Sequence, residues 1–183
     1  MSRHGKAAAP LFLLALSACA GPQRLAEFDS TLKAQNSATT ALTRWCERQN
    51  LASPARISAE LVPQGIAPPA DLPRLLDLPA STAPGYRHVR LSCGGKVLSD
   101  AHNWYVTGRL APAMNELLRT TDTPFGTAVA ALNFQRERLD SRRGRTAPCP
   151  AGTILSHRAL LRLPDGRPLA LVVECYTRAN LRS

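Results

Sequence analysis

From residue 24 to residue 49 the apolar side chains recur at helical spacing. Leu25, Phe28 and Leu32 share one face, and Leu42, Trp45 and Cys46 share another, as amphipathic helices require. Ser37 stands where the second helix needs an N-cap. Arg56 to Val62 has the character of a strand. Pro63, Pro68, Pro69, Pro73, Pro79 and Pro84 then punctuate a segment that can hold neither a ladder nor a long helix, because proline lacks an N–H and fixes φ. Leu72, Leu75, Leu76 and Leu78 inside it predict a loop packed down as a cover, in the manner of a lid. After Gly85 the period changes to two. Arg87, Val89, Leu91 and Cys93 alternate with Tyr86, His88, Arg90 and Ser92, and Gly94-Gly95 turns the chain into a partner strand, Lys96 to Val106. Leu110, Met114, Leu117 and Leu118 make Leu110 to Arg119 a helix, stopped by Thr123-Pro124-Phe125-Gly126. Asn133 to Asp140, Ile154 to Leu163 and Pro168 to Tyr176 give three more strands, the last two joined through Pro164-Asp165-Gly166. Helices segregated from hairpin-linked strands predict one α+β domain, a mainly antiparallel sheet with helices packed on it and a proline-rich covering loop.

The chain's start has a different pattern. Arg3 and Lys6 precede the apolar run Leu11-Phe12-Leu13-Leu14-Ala15, and small residues follow. A basic stretch, a short apolar run and a small-residue cut site predict an export signal, and the run is too short for a permanent membrane span. Leu16-Ser17-Ala18-Cys19 resembles the bacterial lipobox. That resemblance implies a signal peptide over 1–18 and lipidation of Cys19, with 19–36 a tether and first helix and 37–183 the folded domain. Ala20, where aspartate would favour inner-membrane retention, implies an exported protein anchored in the outer membrane and facing the periplasm. An ordinary cleaved signal is the alternative.

Export changes how the other cysteines read. Cys46, Cys93, Cys149 and Cys175 are an even set without C-x-x-C spacing, which in an exported chain predicts two disulfides rather than a zinc or redox motif; four buried free thiols are the other reading. The formal net charge is +10, and loss of Arg3 and Lys6 with the signal leaves +8. An exported protein rarely meets nucleic acid, so the excess in Arg136, Arg138, Arg142, Arg143 and Arg145 reads as a solvated strand end and loop, or as attraction to anionic headgroups or an acidic ligand.

Two residues stand out as candidate chemistry. Strand alternation puts Arg87 on the core face with Val89, Leu91 and Cys93, where a guanidinium needs a partner and its planar fork suits a carboxylate. Glu174 sits in Leu169-Ala170-Leu171-Val172-Val173-Glu174-Cys175-Tyr176, a strand apolar enough to be covered on both faces. A carboxyl there needs a hydrogen-bond partner or a raised pKa, as acid–base groups have; a structural ion pair is the other reading. His88, His102 and His157 share no metal-ligand spacing along the chain, so no metal site is expected. No cofactor motif is present: Gly94-Gly95-Lys96 lacks the rest of a phosphate loop.

The order of these pieces resembles chorismate lyase and its relatives, which include the UTRA-type effector-binding domains of some transcription regulators. The resemblance runs from about Leu42 to Leu181. It rests on the stretch from Ile66 to Pro79, on Tyr86 to Val97, on Thr123-Pro124-Phe125-Gly126 and on Gly166-Arg167-Pro168-Leu169 leading to Glu174. It implies a buried pocket for a small aromatic carboxylate, without metal or cofactor, in which chorismate is split into 4-hydroxybenzoate and pyruvate. By the same resemblance Arg87 clamps the carboxylate beside the amides of Leu61 and Phe125, Glu174 takes the acid–base role, and the proline-rich loop covers the ligand. Asn103 stands near a position where the enzyme carries an arginine, and the last hairpin is one residue longer before Glu174. A lyase and a non-catalytic binding or structural envelope lipoprotein both stay open. One ligand bridging Arg87 and Glu174 would hold Cys93 too far from Cys175 to bond. Of the two pairings left, Cys46–Cys93 with Cys149–Cys175 closes the shorter loops.

Overall fold

The computed structural model describes residues 20–79 and 81–181. Cys19 and the segment before it, on which the signal and lipidation expectations rest, lie outside the described residues. Six strands form one antiparallel sheet in the order β1-β2-β3-β6-β5-β4, with β1 at Ile57–Leu61, β2 at Gly85–Cys93, β3 at Lys96–Tyr105, β4 at Gln135–Arg143, β5 at Leu155–Arg162 and β6 at Pro168–Tyr176. Helices α1 (Ala20–Lys33), α2 (Ala38–Arg48), α3 (Leu72–Leu75), α4 (Pro112–Thr120) and α5 (Phe125–Ala128) complete the α+β fold. None of the described helices is long and apolar enough to cross a membrane.

The turn between β2 and β3 uses Gly94 and Gly95 at φ +54° and +75°, left-handed backbone that only glycine adopts without strain. A bulge shifts the pairing between Leu91 and Ser92. It aligns Arg87 with Asn103 and His88 with His102. β6, in the middle of the sheet, is buried along its whole length.

Both sheet faces are covered, and by different things. On one face, α1 and α2 bring Phe28, Leu42 and Trp45 against Val89, Leu91 and Tyr176, while α4 and α5 bring Leu118 and Phe125 against Leu161, Leu169 and Val172. Each such side chain contributes about 1.5–3 kcal/mol on leaving water. Ser37 caps α2 as expected, its Oγ accepting from the Thr40 N–H at 3.3 Å. Phe28 is fully buried against Trp45, ring centroids 5.1 Å apart, so α1 shares the domain's core rather than standing apart as a tether. On the other face the proline-rich loop packs Leu72 and Leu76 onto Trp104, Leu160, Leu171 and Val173.

Cys46 is bonded to Cys93 and Cys149 to Cys175. Cys93 packs with the α1–α2 core and Cys175 with the proline-loop core, so these two point to opposite faces of the sheet.

Candidate functional site

The face under α1, α2 and α5 keeps a small cavity. Val89, Leu91, Ala101, Asn103, Leu161 and Val172 make its floor, and Phe125 and Phe134 close its sides. Its roof is the turn from Asn36 to Thr39, between α1 and α2, meeting Gly126. A Cβ on Gly126 would overlap Ser37 Oγ and come within 3.3 Å of Thr39 Oγ1, so a residue without a side chain is needed for the roof to shut. Asn36 pins the turn to β4: its Oδ1 accepts from the Arg136 N–H at 3.3 Å, and its Nδ2 donates to Gln135 Oε1 at 3.0 Å. About 30 Å³ is left inside, room for about two waters. Outside the roof lies an open groove of about 410 Å³ lined by Lys33, Arg136, Arg138 and Asn133. Asn36, Ser37, Gly126, Phe134 and Arg136 line both spaces.

Arg136 and Glu174 supply the charge. Arg136 Nη1 donates to Glu174 Oε1 at 3.1 Å and Nη2 donates to Oε2, a bidentate pair with both side chains almost wholly buried. Burial works against the Arg136 charge, but Glu174, with Tyr176, outweighs it and holds the guanidinium above its ordinary pKa. The Tyr176 hydroxyl donates to Glu174 Oε2 at 2.8 Å; burial first, then the Glu174 charge, pushes that phenol well up. His157 Nε2 lies 3.0 Å from Asp29 Oδ1 on α1, and its ring meets that of Tyr176 edge-on, centroids 5.3 Å apart. Burial pushes the His157 imidazole down; Arg136 adds to this, and Glu174 and Asp29 pull against it.

Of the residues expected in the site, Glu174 and Phe125 reach the cavity. Arg87 does not. It is buried on the expected face, but its Nη1 donates to the Thr123 carbonyl at 2.8 Å and its Nη2 to the Thr121 carbonyl at 3.0 Å. The fork that suits a carboxylate therefore holds the loop between α4 and α5, because that loop offers two carbonyls at fork spacing. Leu61 is half-exposed at the end of β1, outside the cavity. The proline-rich loop covers the sheet as expected, but on the face opposite the cavity; its leucines find Trp104 and Leu171 there, and the roof over the cavity comes from the α1–α2 turn instead.

Sequence reasoning missed Arg136 as the partner of Glu174, since it was counted with a solvated basic run. It also missed a second cluster. Hairpin register brings His88, Asp100 and His102 together on the proline-loop face. Burial first, then His88, pushes the His102 imidazole down to about 4, with Asp100 opposing.

The chain is 41% identical to an uncharacterized protein, y4mC, of Sinorhizobium fredii over 175 aligned positions, which cover 84% of this chain and 73% of that one. No family model matches. Among solved structures, the effector domain of PhnF from Mycobacterium smegmatis superposes with a TM-score of 0.55 at 13% identity, over 78% of this chain and 88% of that domain. A second structure of PhnF gives the same TM-score at 12% identity, over 78% of this chain and 64% of that one. The chain spans 58% of the possible transcriptional regulator YydK from Bacillus subtilis, at a TM-score of 0.48 and 13% identity over 68% of this chain.

Proposed function

Since this chain belongs to the family of the rhizobial protein y4mC and folds like the PhnF effector domain, we propose that it binds a small aromatic carboxylate from the groove beside Arg136, as a lipid-anchored protein of the cell envelope. One observation carries the binding reading: Arg136, a buried cation, lines both the closed cavity and the open basic groove next to it. The groove has the volume of a small-molecule site, and Lys33 and Arg138 beside it favour an anion. Phe134, which lines the groove, offers apolar surface for a ring. A fold shared with a domain named for its effector supports the same reading. The anchor rests on Leu16-Ser17-Ala18-Cys19 after a short apolar run.

Binding is favoured over lyase chemistry. Asn103, read as lying near a position where chorismate lyase carries an arginine, lines the cavity, and the Arg87 fork is engaged by the Thr121 and Thr123 carbonyls.

Calorimetry with benzoate, 4-hydroxybenzoate and chorismate, against aliphatic acids of equal charge, tests the proposal. The aromatic acids should bind, and Arg136→Gln should weaken them by about a hundredfold, the scale of a lost charge-assisted pair. Absence of binding by every aromatic acid overturns it. Release of 4-hydroxybenzoate from chorismate, followed by absorbance, would restore the lyase reading. For the anchor, the mass of the N-terminal peptide from membrane-extracted protein should carry acyl chains on Cys19, and a soluble protein starting elsewhere would exclude it.

A further inference from the structure

We propose that His88, Asp100 and His102 form a binding site for a divalent transition-metal ion of the Zn²⁺ class, on the sheet face opposite the ligand cavity. His88 on β2 and His102 on β3 are cross-strand partners. Asp100, two residues before His102, projects on the same face. The imidazoles are stacked with centroids 4.1 Å apart. Asp100 Oδ1 lies 2.8 Å from His88 Nε2 and 3.7 Å from His102 Nε2, and the three donor atoms all lie within 4.8 Å of one another. Ligands at Zn–N and Zn–O distances of about 2.0–2.2 Å in a tetrahedron stand roughly 3.3–3.6 Å apart. Adjustments well under the length of a side chain bring this set to that spacing.

The surroundings of the three residues favour a cation as well. His88 Nδ1 is 3.0 Å from the Gln64 carbonyl, and His102 Nδ1 is 2.9 Å from the Tyr86 hydroxyl. Holding Nδ1 in this way leaves Nε2 as the ligating atom of each ring, as the outer hydrogen-bond partners of metal-ligating histidines do, and a shared ion requires the stacked rings to tilt toward each other. Gln64 O and Asp100 Oδ1 are both acceptors. Two imidazoles and one carboxylate suit Zn²⁺, Cu²⁺ or Ni²⁺ better than the oxygen-seeking Mg²⁺ or Ca²⁺. The one basic group facing the cluster among the described ion pairs is Arg90, half-exposed, whose Nε is 3.7 Å from the other oxygen, Asp100 Oδ2. It leaves Oδ1 to the histidines. A bound ion would clip the β2–β3 hairpin to the start of the proline-rich loop through Gln64. The competing reading is a plain histidine–aspartate hydrogen bond that binds nothing.

The full chain, stripped with a chelator and dialysed, is titrated with Zn²⁺ by competition calorimetry and with Co²⁺ by visible absorption. One Zn²⁺ per chain is expected, together with Co²⁺ bands of the intensity that a low-coordinate site gives. Asp100→Asn and His88→Ala should weaken Zn²⁺ by more than about a hundredfold, and Tyr86→Phe by about tenfold, the range for an orienting partner. His157→Gln should leave it unchanged. The site is excluded if wild-type protein takes up no Zn²⁺, or if uptake survives Asp100→Asn and His88→Ala. Asp100→Asn keeps the side chain's size, and the wild-type Co²⁺ spectrum needs no variant, so a variant that fails to fold does not remove the test. Neither readout involves the aromatic acid or Arg136.

Discussion

Arg136 reaches across β5 from the edge of the sheet to Glu174 in its centre, and the two side chains satisfy each other prong for prong with about 5% of either exposed. Removing one partner leaves a buried charge without its counter-ion. Glu174→Ala should therefore cost about 3–5 kcal/mol of stability, whereas Arg136→Met with Glu174→Leu should cost far less. Urea denaturation of the two variants near neutral pH measures the difference, and equal losses would show that the pair is not insulated from water.

Arg87 should act on the loop rather than on a ligand. In Arg87→Ala the carbonyls of Thr121 and Thr123 lose their donors, at about 1–3 kcal/mol for each left buried and unsatisfied. Arg87→Lys should recover only part, because an ammonium cannot reproduce the fork. Stability and affinity for aromatic acids should fall together. Lost affinity with an unchanged urea midpoint would return Arg87 to the role of carboxylate clamp.

Non-reducing peptide maps should contain Cys46–Cys93 and Cys149–Cys175. Replacing Cys46 and Cys93 by alanine opens a loop of 47 residues in sequence separation and should lower stability by about 2–4 kcal/mol. A Cys93–Cys175 peptide would contradict the sheet itself, since those residues face opposite sides.

His157 gives a pH dependence of known sign. Its imidazole is held below its ordinary value in the folded chain, while in the unfolded chain it takes a proton near pH 6.5. Its contribution is therefore complete above about pH 6.5 and is lost as the pH falls from there toward the folded value. Urea midpoints from pH 8 down to pH 5 should drop more for wild type than for His157→Gln. Parallel curves would mean that Asp29 and Glu174 offset burial entirely.

The elements were legible where a local rule decides them. Ser37, the Gly94-Gly95 turn and the alternation through Arg87, Val89 and Leu91 each depend on residues a few positions apart, and each stands as read. The site was less legible because it depends on strand order. Arg136 meets Glu174 only because β4 lies beside β5 and β5 beside β6, and no residue of either strand announces that. The histidine cluster was hidden by a single bulge. A plain two-residue turn at Gly94-Gly95 sets His88 opposite Ala101, and the shift between Leu91 and Ser92 moves it opposite His102. Arg87 was read correctly as buried and in need of a partner, but a carbonyl pair serves a guanidinium as well as a carboxylate does.

The sheet's two rims bear on how copies of this protein treat one another. β4, the outermost strand on one side, carries Arg138, Arg142 and Arg143. Four arginines against Glu137 and Asp140 leave β4 net positive, so the β4 of a second molecule would meet like net charge there. β1, on the other side, is five residues long, and the Asp122 carbonyl already takes its Ala59 N–H at 3.2 Å. A visiting strand finds repulsion at one rim and an occupied hydrogen-bonding position at the other. The arginines that read in sequence as a solvated strand end, or as attraction for anionic headgroups or an acidic ligand, thus also work as a fence. A positive rim of this kind disfavours edge-to-edge pairing of copies when the protein is concentrated.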